Sequence, residues 1–246
     1  MTPDASGTSG QAVTSIDVVI PVFDRADRIG EAVRSVLAQA TPPDVTLGVI
    51  LVDDGSTDRT PTTVAALARK HAHVSAILLD HNQGPSAARN AAIRQSGASH
   101  ITFLDSDDLM LPGRLVFQVA RLTESPVVDA VTGLEVLEVQ PGVVPPPWVQ
   151  RLPPVDVAPR HYVMSMLVGR HHLLAVGGFD ATIRVGEDFD LMVRLRDTGV
   201  RFAHEEQEVV VRRIFGDNLI YDDEGVQFTL LRAVRGQIGR ARIRST

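Results

Sequence analysis

The chain has 246 residues, 44% of them hydrophobic and 22% charged, which is enough to enclose the core of one large domain. A formal charge of −6 argues against general nucleic-acid binding, and the lack of cysteine excludes disulfides, zinc–thiolate sites, iron–sulfur clusters and a cysteine nucleophile. No apolar run approaches the roughly 20 residues of a spanning helix, and residues 1–15 show no leader pattern, so a soluble, cytoplasmic protein with a flexible N-terminal tail is expected.

Asp17 to Phe23 is a short apolar run, the pattern of a strand buried on both faces. Ile29, Ala32, Val33, Val36 and Leu37 then share one face of a helix. Leu47–Val52 predicts a second strand, and Pro61 sits in the first turn of the helix after it. Val74–Leu79 predicts a third strand. Ser86–Ser96 is an alanine-rich helix opened by Pro85 and stopped by Gly97, and Ile101–Leu104 predicts a fourth strand. Four strand–helix units in a row imply an α/β fold, a mostly parallel sheet with helices on both faces. Ligands bind such sheets beyond the carboxyl ends of the strands. Phe23-Asp24, Asp53-Asp54, the 81–86 loop and Asp105–Asp108 all fall there.

The second half is less regular. A strand is expected over Val127–Val139. Gln140–Pro159 holds seven of the fifteen prolines, which disfavours helix, with Trp148 as a candidate anchor. His161–Val168 reads as extended, Gly177-Gly178 as a turn, Glu187–Thr198 as a helix closed by Gly199, and Glu208–Ile214 as a strand. An amphipathic stretch over Val226–Val234 leads into a tail from Arg232 with five arginines and no acid.

Three carboxylates, Asp105, Asp107 and Asp108, crowd the end of the fourth strand. Two carboxylates ~4 Å apart repel by roughly 4 kcal/mol at an effective dielectric near 20, so the cluster points to a cation, shifted pKa values or ready hydration. Oxygen-only ligands suit Mg²⁺ or Mn²⁺, and a helix-capping loop explains the same residues. Asp53-Asp54-Gly55-Ser56-Thr57-Asp58 is either an acceptor for a base N–H or a turn in which Asp58 caps the next helix. Asn82–Asn90 enters a helix whose N-terminus and Arg89 suit a phosphate, or presents a surface arginine. Gly186-Glu187-Asp188 starts a helix, where acids suit either the macrodipole or general-base work. The eight histidines lack metal-site spacing.

In this order, Val19–Arg25, Val52–Asp58, Asn82–Asn90, Phe103–Asp108 and Val176–Asp180 running on to Gly186-Glu187-Asp188 resemble the family-2 glycosyltransferases, over about residues 16–218. The resemblance implies the GT-A fold, with a nucleotide-sugar-binding half at 16–125, an acceptor-side half at 126–218 and a basic helical tail at 219–246. Pro21 and Phe23 would line the nucleoside pocket, Asp54 with Asp53 would read the base edge, and Arg89 would lie near the nucleotide. Asp105-Ser106-Asp107 would be the DxD motif, touching the ribose and a Mn²⁺ or Mg²⁺ ion, with Asp108 as a further metal contact. Asp188, beside Glu187, would be the general base of an inverting, hexosyl-type transfer from a nucleotide sugar, UDP-linked first. The acceptor would be a sugar, a lipid-linked molecule, a peptide or a small molecule, with peripheral membrane contact open to the basic tail. Two departures stand out: Asp24 replaces the family's usual asparagine, and Phe215 occupies the place of a frequent histidine. Phe215 keeps open the alternative of a catalytically silent nucleotide-binding or scaffolding module. A sugar nucleotidyltransferase is disfavoured, because no Gly-rich basic loop follows the first strand.

Overall fold

A computed structural model describes residues 12–145, 163–184 and 186–217. The expected tails, most of the proline-rich segment with Trp148, and the 226–234 stretch lie outside the described residues.

The first half follows the sequence closely. Strands β1 (Ser15–Val22), β2 (Thr46–Asp53), β3 (Val74–Leu78) and β4 (His100–Phe103) alternate with helices α1 (Ile29–Leu37), α2 (Thr60–Lys70) and α3 (Pro85–Gln95). These strands pair in parallel in the order β3-β2-β1-β4. Burial on both faces is visible residue by residue. Ile16, Val18, Ile20 and Val22 pack on one side with Ile29, Val33 and Val36 of α1 and Val64 of α2. Val19, Ile50 and Val52 pack on the other with Ala88, Ala92 and Ile93 of α3. Alternation with a period of two therefore divides one apolar strand between two cores. The turn reading also holds, since Asp58 Oδ1 accepts the Thr60 N–H at 2.7 Å, while the N-cap position of α2 falls on Arg59 and has no side-chain cap.

Beyond β4 the sheet turns mixed. It continues through β5 (Leu109–Met110), α4 (Arg114–Glu124), β6 (Ala130–Val139), a 3₁₀ turn (Val163–Ser165), β7 (Met166–Gly169), α5 (Arg170–Ala175), α6 (Glu187–Asp197) and β8 (Phe202–Ile214). The full order is β3-β2-β1-β4-β7-β6-β8-β5. β7 is antiparallel to both β4 and β6, and β8 is parallel to β6, so β6 and β8 run with β4 and end at the same edge.

Four details differ from the sequence expectation. β8 begins at Phe202 rather than Glu208, and β6 at Ala130 rather than Val127. His161–Val168 is not uniformly extended, because its described part opens with the 3₁₀ turn. The two-residue β5 and six-residue α5 are too short to carry a periodic signal.

A buried arginine fastens the halves together. Arg114, 1% exposed at the start of α4, donates to Thr102 Oγ1 of β4, to the Met164 carbonyl at 2.8 Å and to Gln118 Oε1 at 3.1 Å. Burial lowers its pKa to about 9, partly offset by Glu135.

Candidate active site

The carboxyl ends of β1, β2, β3 and β4 bring four motif stretches to one edge, where β8 also ends and α6 opens beside them. Gly55, at φ +70°, lets the β2 turn approach the loop after β3, where a Cβ would come within 2.4 Å of the His81 carbonyl carbon. Asp54 is 3% exposed and secures that loop, its Oδ1 accepting the Gln83 N–H at 2.9 Å and its Oδ2 the Gly84 N–H at 2.8 Å. Asp53 is equally buried, and its Oδ1 has no hydrogen-bond partner among the described residues. Burial raises the pKa of both. Asp24 has φ +49°, a conformation that Asn and Asp tolerate better than most residues, and its Oδ1 accepts the Thr57 N–H at 2.8 Å. The asparagine-to-aspartate departure thus preserves the turn. Phe23, 38% exposed, and Pro21 lie at the open end of β1.

Arg89 is the centre of the site rather than a surface arginine. It is 4% exposed and donates to Asp105 at 2.8 Å and to Glu187 at 3.2 Å, with Asp188 at 3.8 Å. Burial opposes its charge, but Asp105, Asp188 and Glu187 outweigh burial and raise its pKa. One guanidinium therefore ties the end of β4 to the first turn of α6. Asp188 keeps one buried oxygen, Oδ1, without a hydrogen bond among the described residues. Burial first, then Glu187 and Asp105, push it up to about 7 against the pull of Arg89.

The acidic cluster divides. The Asp105 side chain is 30% exposed and that of Asp107 is 13% exposed, 3.6 Å from Arg25 Nε. Asp108 is 2% exposed, and its Oδ1 accepts the Arg213 N–H at 2.8 Å. β5 explains this, since its antiparallel register Leu109↔Val211 lays the residue before it against β8. Burial raises the pKa of Asp107 and pushes that of Asp108 well above its ordinary value, and Asp105 adds to both shifts. Ser106 is 8% exposed between them.

The Gly177-Gly178 turn is clasped to α3. Asn90 Nδ2 donates to the Phe179 carbonyl and its Oδ1 accepts the Phe179 N–H, both at 2.8 Å. The Phe179 ring meets Phe103 edge-on at 5.3 Å, supporting β4 beneath the cluster.

Three features of this edge leave no pattern in the sequence. Glu135 of β6 is 4% exposed and is pushed up to about 7 by burial, with Arg212 at 4.0 Å pulling the other way. Arg213 donates to Glu31 and the Asp107 carbonyl. Arg25 and Arg28 gather around Phe215 and Asp217. Of these cations only Arg25 falls within a motif stretch, and no spacing rule distinguishes it. His100 is 3% exposed at the opposite end of β4, consistent with a packing role.

The profile described as "Glycosyl transferase family 2" matches residues 17–152. The chain belongs to glycosyl transferase family 2. The succinoglycan biosynthesis protein ExoO of Rhizobium meliloti (strain 1021) is 31% identical over 210 residues, covering 78% of this chain and 59% of that protein. A pre-mycofactocin glycosyltransferase of Mycobacterium tuberculosis (strain CDC 1551 / Oshkosh) is 28% identical, covering 80% of this chain and 42% of the relative. The chain thus spans less than two thirds of the length of these relatives. S. aureus TarS 1-349 in complex with UDP-GlcNAc gives a TM-score of 0.66 at 20% identity, covering 83% of this chain and 60% of that one. The mannosyltransferase PcManGT from Pyrobaculum calidifontis in complex with GDP-Man and Mn²⁺ gives 0.67 at 22%, covering 86% and 59%. At these identities the likeness is one of fold, and it is the GT-A glycosyltransferase fold. Among the described residues, no helix is long and apolar enough to cross a membrane.

Proposed function

We propose that the chain transfers a sugar from a nucleotide-diphosphate sugar to an acceptor hydroxyl, with inversion at the anomeric carbon. The observation that carries this reading is the buried Arg89 bridge, which sets Asp188 beside the Asp105 end of the acidic cluster. Donor and base chemistry thereby share one edge, reached by strands and a helix that are far apart in sequence.

In this reading the base packs near Pro21 and Phe23. Asp53 reads its edge, because its Oδ1 is uncommitted among the described residues while Asp54 holds the loop. Among the described residues no three His, Asp or Glu side chains converge as a metal cage. That suits a Mn²⁺ or Mg²⁺ ion held by one or two carboxylates and by phosphate oxygens of the donor, and Asp105 and Asp107 are the residues to hold it. Such an ion would neutralise charge on the departing diphosphate. Asp108, bound to the backbone of β8, serves as a brace. Asp188 accepts the proton of the acceptor hydroxyl, whose oxygen forms the new bond to the anomeric carbon. The bond to the diphosphate breaks, and the diphosphate leaves with the electron pair. Glu187 and Arg89 hold Asp188 in place. A sugar, lipid-linked, peptide or small-molecule acceptor enters from the side of β6 and α6.

The test is donor hydrolysis and transfer with UDP-, GDP- and dTDP-sugars, with Mn²⁺ and with Asp188→Asn. Turnover of one donor, reduced at least 100-fold in the variant while nucleotide binding persists, supports the assignment. Nucleotide binding without turnover across an acceptor screen would instead favour the silent-module alternative raised by Phe215.

A further inference from the structure

One cluster at this edge is unused by the mechanism above. Arg25 follows β1, and Arg28 begins the turn into α1. The Arg28 guanidinium makes a two-bond pair with Asp217, at 2.8 and 3.0 Å, and its central carbon lies 4.0 Å from the Phe215 ring centre. The Arg213 guanidinium stands 5.1 Å from the same ring. Phe215 offers no atom to a metal or phosphate, yet it fixes an arginine at the end of β8. Asp217 passes that order on, because its carbonyl accepts from Arg25 Nη2 at 3.0 Å and its Oδ2 lies 3.7 Å from Arg25 Nη1.

Arg25 is therefore held on three sides. Nη1 donates to the Asp24 carbonyl at 3.0 Å, Nη2 to the Asp217 carbonyl, and Nε faces Asp107 Oδ2 at 3.6 Å, beyond hydrogen-bond length. A guanidinium carries five N–H donors, and two of these make hydrogen bonds to described residues. The side chain is 19% exposed, so it reaches the open edge without being loose. A planar cation with spare donors, pre-ordered beside a carboxylate cluster, suits phosphate oxygens better than a mobile lysine does.

We propose that Arg25 binds the donor's diphosphate directly, and that Arg28, stacked on Phe215 and paired with Asp217, is its positioning residue. This rests on the nucleotide-sugar reading and adds to it a protein cation at the diphosphate that works without a divalent ion. A diphosphate that reaches Asp107 comes within the span of the Arg25 guanidinium as well. The outer phosphate then binds through charge-assisted hydrogen bonds whether or not a divalent ion is present.

The experiment is calorimetric titration in EDTA with UDP, GDP and dTDP, each against its nucleoside monophosphate, on wild type, Arg25→Gln, Arg25→Lys and Arg28→Gln. Thermal melting confirms that each variant is folded. For the base that binds, wild type is expected to prefer the diphosphate about tenfold, as one charge-assisted contact of about 1.4 kcal/mol gives. Arg25→Gln should erase the preference and leave monophosphate affinity unchanged. Arg25→Lys should restore part of it, and Arg28→Gln should reduce it less than Arg25→Gln does. A diphosphate preference that survives Arg25→Gln, or none in wild type until Mn²⁺ is added, overturns the proposal while leaving the nucleotide-sugar reading intact. If none of the three nucleotides binds with or without Mn²⁺, both fall together.

Discussion

At the scale of single residues, the candidate site withholds solvent from its carboxylates and pairs some of them with arginines. Asp188 illustrates the balance. Burial, Glu187 and Asp105 raise its pKa, Arg89 lowers it, and the net value is about 7. A general base is effective when its pKa lies near the working pH and it is deprotonated. Raising the pH increases the deprotonated fraction, so kcat/KM at saturating Mn²⁺ should climb with pH to a plateau, with its inflection below 7 because a cation on Asp105 cancels that residue's share of the upward shift. A flat profile from pH 5.5 to 8.5 would remove Asp188 from that role. The same residues show the reach and limit of sequence reading. The motifs place Asp54, Arg89 and Asp108 at this edge, which is where the strands end. Their partners were not legible, because Arg89 meets Glu187 across 98 positions and Asp108 meets Arg213 across 105.

At the scale of elements, two small devices align large ones. β5 has two residues, yet it fastens the acidic cluster to β8. The Asn90 side chain closes the Gly177-Gly178 turn onto α3, and Gly178 is the residue that permits it. Its φ is +73°, and a Cβ there would lie 2.2 Å from Asn90 Oδ1. Gly178→Ala must strain the backbone and push Asn90 from the Phe179 amide. A loss of about 1–3 kcal/mol in urea denaturation is expected. Since Phe179 supports Phe103 beneath the acidic cluster, nucleotide affinity should fall in the same variant. Unchanged stability would mean that the clasp does not hold the turn. The glycine pair signalled a turn in the sequence, but nothing local indicated that α3 would receive it.

At the scale of the whole molecule, buried ionisable groups oppose one another in their response to pH. Glu135 and Asp188 have raised pKa values, so between their unfolded values and about 7 the folded state binds more protons and stability falls as pH rises. His100 behaves oppositely. Burial lowers it to about 4, so the unfolded state binds more protons from there to about 6.5, and stability rises with pH across that range. The summed profile conceals both contributions, but a variant separates them. Glu135→Gln cannot ionise, so its stability relative to wild type should increase steadily from pH 4.5 to 7.5 in parallel denaturation curves. Parallel profiles would show that Glu135 is not held protonated by the fold.

The sequence alone determined the three-layer architecture of the first half and the edge at which the site lies. Both are local consequences: a strand buried on two faces reads as a continuous apolar run, its helix as a 3.6-residue stripe, and each polar motif follows directly in the chain. Only the tertiary structure decided the division of labour among the carboxylates. The mixed sheet order carries β8 beside β6 and β5, far from β4 in sequence, and thereby brings Arg213, Phe215 and Asp217 against Asp107, Asp108 and the two arginines after β1. Burial and charge partners, which set each group's chemistry, are properties of that register. Motif spacing carries no record of it.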